Sequence, residues 1–220
     1  SAAARIEKYV ADFSDLNDVM KLANSIAQKH TSLDVIINNA GVYKTENNVT
    51  KDGLDLRFTV NTLAPYLLTQ RLLPLMTTTG RVINLSSAAQ APVDIKALAG
   101  EVSLTDSSAY AQSKLAITMW TREMALSLEN GPVIVSVNPG SMLGSKMVTE
   151  AFGVAGGDIR IGANILVRAA LSDEFANSSG NYFDNDAGQF ASPHPDAFDR
   201  AKSGEVVQTI EAVLARLYKY

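Results

Sequence analysis

The stretch "LDVIINNAG", Leu33 to Gly41, joins a short β-branched run to two asparagines, an alanine and a glycine. A run of that length, closed by turn formers, reads as a buried strand that ends where the backbone must change direction. Helical patterns flank it. Before it, Asp15 to Lys29 repeats Leu16, Val19, Met20, Ala23 and Ile26 at helical spacing, and after it Gly53 to Met76 is a long Leu-rich helical stretch. Working outward, "RIEKYVADF" (Arg5 to Phe13) alternates as an earlier strand stopping at Asp12, "GRVINLSS" is a third strand, and "PVIVSVNPG" a fourth. A helix from about Ser107 to Glu129 separates the last two. Ile159 to Leu171 and Glu205 to Leu217 are helical, with Asn181 to Asp184 a short last strand. Strands alternating with helices predict an α/β fold: a doubly wound parallel sheet in three α/β/α layers. No repeat or boundary divides residues 1–220, so one domain is expected.

Composition narrows the function. The chain has 220 residues and 46% apolar content, enough for a substantial core. Its 19 Lys and Arg against 23 Asp and Glu give a net charge of −4 with no basic stripe, which argues against a nucleic-acid partner. There is no cysteine, which excludes disulfides, thiolate metal sites and cysteine nucleophiles. His30 and His194 lie far apart without a ligand pattern and read as cap or surface residues, so no metal is expected. No apolar run approaches a membrane span and no signal peptide is evident, so the protein reads as soluble and cytoplasmic.

In open α/β sheets, ligands bind beyond the carboxyl ends of the strands, where helix N-termini also point. The polar clusters obey this geometry: Asp12, then Asn38 to Gly41, then Ser86 and Ser87, then Asn138 to Gly140, all at strand ends on one edge. The next helix opens on "SSAYAQSKLA", Ser107 to Ala116, with Asp106 or Ser107 as its expected cap. Tyr110 and Lys114 are four apart and share a helix face. A neighbouring ammonium and the positive helix end both favour a phenolate, so the Tyr110 pKa is expected to fall and the phenol to serve as general acid and base.

In order, "NNAG", "NLSS", "SAYAQSK" and "NPG", with Asn61 in "FTVNTLAPYLLTQRLLPLM", resemble the short-chain dehydrogenase/reductase family over nearly the whole chain. The resemblance implies a Rossmann-type fold and hydride transfer between a nicotinamide dinucleotide, NAD or NADP undecided, and a small-molecule carbonyl or alcohol. By that likeness Tyr110 is the acid/base. Ser87, rather than Ser86, polarises the substrate oxygen, a contribution of about 3 kcal/mol. Lys114 tunes the phenol and holds the nicotinamide ribose, and Asn61 fixes a water leading to solvent or satisfies a helix bend ahead of Pro65. Asp12 and Phe13 correspond to the adenine end of the cofactor site, Asn39, Ala40 and Gly41 to its ribose, Pro139 and Gly140 to the nicotinamide, and Ser145 to the pyrophosphate. The family also implies a homodimer or homotetramer built on the faces of Leu63 to Leu75 and Leu115 to Leu128. Rival readings are a non-catalytic relative, which would usually have lost Tyr110 or Lys114, an inactive fragment of an enzyme, and a serine hydrolase, which lacks the GxSxG elbow.

The sequence departs from the family pattern in two places. The family's first strand, its glycine-rich TGxxxGxG-type turn and its second strand have no counterpart, so they are expected upstream of Ser1. The strand at Arg5 to Phe13 would then lie three spacings, about 14 Å, from Val35 to Asn38. The segment "AAQAPVDIKALAGEVSLTD" between Ser87 and Tyr110 is long and either borders the substrate pocket or is a surface loop. "SMLGSKMVTEAFGVAGG" is expected as an apolar lid.

Overall fold

The computed structural model describes residues 5–218. In chain order these form α1 (Leu16–Lys29), β1 (Leu33–Asn38), α2 (Leu56–Phe58), a π-helical turn (Thr59–Leu63) and α3 (Ala64–Leu72), then β2 (Met76–Leu85), α4 (Ile95–Leu98), α5 (Asp106–Ser127) and β3 (Val133–Asn138). There follow α6 (Lys146–Phe152), α7 (Ile159–Leu171), β4 (Tyr182–Asp184), β5 (Gln189–Ala191) and α8 (Arg200–Tyr218). The strands make one five-stranded sheet in the order β1-β2-β3-β4-β5, parallel except for the antiparallel β4–β5 pair. Asn38 aligns with Asn84, and Asn84 with Ser136, so the polar ends of neighbouring strands arrive together on one edge.

Local chemistry sets the ends of the helices. The Asp15 carboxylate accepts from the Asn17 N–H to open α1, and Asp158 does the same from Arg160 for α7. For α5 the cap is Thr105, not Asp106 or Ser107, and its bond from the Ser108 N–H is long at 3.4 Å. Leu16, Val19 and Ala23 of α1 join Leu67 of α3, Leu115 and Trp120 of α5 and Ile210 of α8 in a core on one sheet face. On the other face α7 packs Ile165 and Ala169 on Ile83, Val135 and Phe183. The second face of α5 is covered by α8, whose Val206, Ile210, Val213 and Leu214 are buried, while α3 packs on α1 and reaches α8 through Tyr66, which donates to Glu211 at 2.9 Å.

The strand expected over Arg5 to Phe13 is not formed. Residues 5–12 carry no ladder, and Ile6 and Val10 are exposed at 83% and 101%. Alternation supplies only one side of a ladder, and among the described residues nothing pairs with the outer edge of β1. The segment lies against the end of α1, where Glu7 pairs with Lys29 and His30. The long segment after Ser87 is also resolved. Four of its residues form α4, whose Ala97 and Leu98 enter the core beside α8, while Ala89 near its start lines the cavity at the strand ends.

Candidate active site

One cavity of about 900 Å³ opens at the carboxyl ends of β1, β2 and β3. Asn39, Ala40, Gly41, Ser87, Tyr110, Lys114, Pro139, Gly140 and Ser145 all line it. Asp12 and Phe13 do not. Asp12 is exposed and its carboxylate accepts from the Ser14 N–H and hydroxyl, forming the turn before α1, while Phe13 packs on the core. The strand that was expected to carry them to the cavity edge is not formed, so they stay with α1.

Lys114 is 4% exposed, and its Nζ donates to the Leu85 carbonyl at 2.8 Å. Burial pushes the ammonium down to about 8. Its Nζ is 5.7 Å from the centre of the Tyr110 ring. The Tyr110 phenol lies above its ordinary value rather than below it. Desolvation of the phenolate dominates, a hydrogen bond with the Ser87 side chain pulls the other way, and the neighbouring Tyr43 raises it further. The expectation from i, i+4 spacing fails because tertiary packing buries the phenol and commits the amine to a strand carbonyl.

The two serines separate cleanly. Ser86 is buried and bonds the Lys114 carbonyl at 3.1 Å and the Thr118 hydroxyl at 2.7 Å, so it locks α5 to β2. Ser87 is half-buried and lines the cavity with Tyr110; its Oγ accepts from the Ala89 N–H at 3.1 Å, and its carbonyl is held by the Tyr182 hydroxyl at 3.1 Å and Gln90 Nε2 at 2.9 Å. Tyr182 was missed because the contact spans 95 residues, for which a single sequence offers no signal.

Asn61 lies behind the wall, not in it. It sits in the π-helical turn and is 1% exposed. Its amide donates to Val42 O at 2.9 Å and to Ser113 Oγ at 3.0 Å, and its Oδ1 accepts from the Val42 N–H at 2.8 Å. Both amide hydrogens are thus committed to protein atoms, and the side chain clamps the chain just after Gly41. The helix irregularity ahead of Pro65 is this same turn, with Ala64 N–H bonding Thr59 O, and it aims Asn61 inward. A β-carbon at Gly41 would stand 3.5 Å from Asn61 Oδ1 and 3.6 Å from Lys114 Nζ, so the three residues converge.

Past β3, Gly140 has φ +124, a conformation open to glycine and strained for other residues. Asn138 donates to Asp184 at 2.8 Å and Asp186 at 2.9 Å, and Asp186 accepts from the Ser141 N–H at 2.8 Å and hydroxyl at 2.5 Å. Burial raises the Asp186 carboxyl, but these bonds outweigh it and hold it below its ordinary value. Ser145 caps α6 through the Val148 N–H. Met142, Leu143, Met147, Val148 and Phe152 supply an apolar wall, and Gly144 and Gly157 pair their backbones at 2.7 Å across its base. Tyr43, also missed from sequence, packs edge-on to Tyr110 at 4.8 Å and tilts against Phe152 at 5.6 Å.

His30 ends α1 and His194 caps the turn at Pro195–Phe198, as their isolation suggested, and the described residues hold no cluster able to ligate a metal. No described helix is long and apolar enough to cross a membrane.

A family model for short chain dehydrogenases matches residues 1–153. Human retinol dehydrogenase 13 is 30% identical over 94% of this chain and 66% of its own length. Mouse retinol dehydrogenase 14 is 37% identical over 59% of this chain and 40% of its own. The chain thus spans about two thirds or less of the length of these relatives. Among solved structures, an uncharacterized protein from Mycobacterium paratuberculosis superposes with a TM-score of 0.73 at 25% identity, covering 92% of this chain and 73% of the other. The NADPH-bound carbonyl reductase from chicken fatty liver superposes with a TM-score of 0.60 at 24% identity, covering 83% and 75%, and speaks for the fold.

Proposed function

Because the chain belongs to the short-chain dehydrogenase family, we propose that it serves an NAD(P)-dependent oxidoreductase interconverting an alcohol and a carbonyl compound. The observation that carries this is that Ser87, the Tyr110 phenol and the Lys114 ammonium line one cavity, with the Ser87 side chain pulling the phenol's pKa down against its burial. In reduction, Tyr110 gives its proton to the carbonyl oxygen while the Ser87 hydroxyl steadies the charge developing there. In oxidation Tyr110 takes the proton back. Lys114, protonated below about pH 8, places a positive charge near the phenol ring. Asn61 acts through Val42 and Gly41, and is a positioning residue.

The residues present fit the nicotinamide half of a dinucleotide. Lys114, Pro139 and the left-handed Gly140 line the cavity where the nicotinamide would sit, and the same cavity is lined by Asn39, Ala40 and Gly41, likened to the adenine-ribose site, and by Ser145, likened to the pyrophosphate site. When bound, the cofactor supplies or accepts the hydride. Asp12 and Phe13 are outside the cavity, so no adenine site is assigned to them.

The apolar wall favours an apolar substrate. The relatives' names make retinol, and the corresponding aldehyde, the first compounds to try. The test is nicotinamide absorbance during incubation with NADPH or NADH and a panel of apolar and polar aldehydes and ketones, beside Tyr110→Phe. Oxidation of the cofactor by the parent chain and not by the variant supports the proposal. No oxidation with any pair favours a non-catalytic relative.

A further inference from the structure

Two cations are buried among the described residues. Lys114 belongs to the cavity wall and Arg57 does not. Arg57 is 0% exposed at the start of the helical stretch that leads to Asn61. An ammonium or guanidinium at such depth needs carboxylates and hydrogen-bond acceptors around it. Its Nη2 donates to Asp55 at 2.7 Å, and its Nη1 to Asn48 at 2.5 Å and to Asp106 at 3.1 Å. Asn48 in turn donates to the same Asp106 oxygen at 2.9 Å. The Arg57 Nε is buried with no partner, so the guanidinium is oriented by these acceptors alone.

The acceptors are not scattered. Asp106 is the first residue of α5, one turn before Tyr110 and two before Lys114. The first turn of a helix lacks internal partners for its N–H groups and frays unless something anchors it. Here the cap bond from Ser108 to Thr105 is long at 3.4 Å, which leaves the Asp106 link to Arg57 and Asn48 as the firmer anchor. Asn48 belongs to the loop after Val42, whose Tyr43 ring packs edge-on to Tyr110. One side chain therefore ties the helix that carries the phenol to the loop that walls it.

We propose that Arg57 is a positioning residue for Tyr110, acting through Asp106 and Asn48 to hold the phenol against Ser87. Misplacement of a reacting group by about 1 Å can cost on the order of 100-fold in rate, so loss of this anchor is expected to reduce kcat far more than it changes KM. The turnover readout rests on the oxidoreductase reading given above. The position of Tyr110 does not.

The experiment compares Arg57→Met, Asp106→Ala and Ile210→Ala in the intact chain. Ile210→Ala is a destabilising control in α8. Asp106→Ala removes the oxygen that accepts from Arg57 and Asn48, keeps the Arg57–Asp55 pair, and decides the matter if Arg57→Met does not fold. Tyrosine labelled at the ζ carbon reports Tyr110 by NMR, assigned with Tyr110→Phe, and steady-state kinetics reports turnover. A displaced Tyr110 signal and kcat lowered about 10- to 100-fold in the Arg57 and Asp106 variants, with neither change in Ile210→Ala, is expected. A folded Asp106→Ala protein with the Tyr110 signal of the parent overturns the proposal. Should the parent show no turnover at all, the oxidoreductase reading fails while the NMR comparison still decides the role of Arg57.

Discussion

Lys114 shows how the site opposes the stability of the fold. Burial lowers its folded pKa to about 8, so at pH 7 the folded chain holds an ammonium that the unfolded chain would solvate better. Lys114→Met is expected to raise stability at pH 7 by on the order of 2 kcal/mol, after allowing for the Leu85 carbonyl left without its donor. The sign of its pH dependence follows. Between about pH 8 and the ordinary lysine value the folded side chain is neutral and the unfolded one still charged, so the gain shrinks across that window. Urea titrations of both proteins at pH 7 and pH 10 measure it. For Tyr110 the raised pKa places the base-requiring limb of alcohol oxidation on the alkaline side. Ser87→Ala removes the bond that opposes the rise, so that limb moves to still higher pH and kcat falls about 100-fold, read from a pH–rate profile. That Tyr110 and Lys114 share a helix face was legible from spacing, and that Ser86 and Ser87 end a strand on the same edge from the strand pattern, whereas the choice of Ser87 rested on the family resemblance. The direction of the phenol's shift was not, because it depends on how deeply the ring is buried and on Lys114 facing a carbonyl of another element.

Elements with long, regular apolar periods were readable. Ile159 to Leu171 is α7 with the same bounds, and the expected helix from about Ser107 to Glu129 is α5. Short or partner-dependent pieces were not. Among the described residues, Arg5 to Phe13 has strand-like alternation but no neighbour to bond, β5 is only three residues long, and α4 lies in a segment read as either a pocket border or a surface loop. The turn after β3 combines both cases: "NPG" marked it, whereas the Asp186 bonds that fix it come from the β4–β5 connection. Gly140→Ala forces a side chain into a φ of +124 and is expected to cost about 1–3 kcal/mol while disturbing the Ser141 contact. Thermal unfolding gives the cost, and dinucleotide binding by calorimetry should weaken in parallel.

At the scale of the molecule, α8 completes one sheet face by packing on α5. The faces of α3 and α5 were expected to meet another subunit, and within this chain Val206, Ile210, Val213 and Leu214 of α8 join the core that includes α5. Ile210→Ala should therefore destabilise the protein by about 2–5 kcal/mol, measured by urea unfolding. Covering by α8 was invisible in sequence, since an amphipathic last helix does not say which surface it seeks. The whole arrangement brings Ser87 on one strand end and Tyr110 and Lys114 on one helix to a single cavity, and the central claim is that this cavity passes a hydride to a carbonyl carbon. Incubation with a nicotinamide cofactor deuterated at its transferable position, plus an apolar aldehyde, tests it most directly by mass spectrometry of the alcohol. The account predicts one deuterium in the alcohol formed by the parent chain and no alcohol from Tyr110→Phe. Alcohol without deuterium, or labelled alcohol in equal yield from Tyr110→Phe, would contradict it.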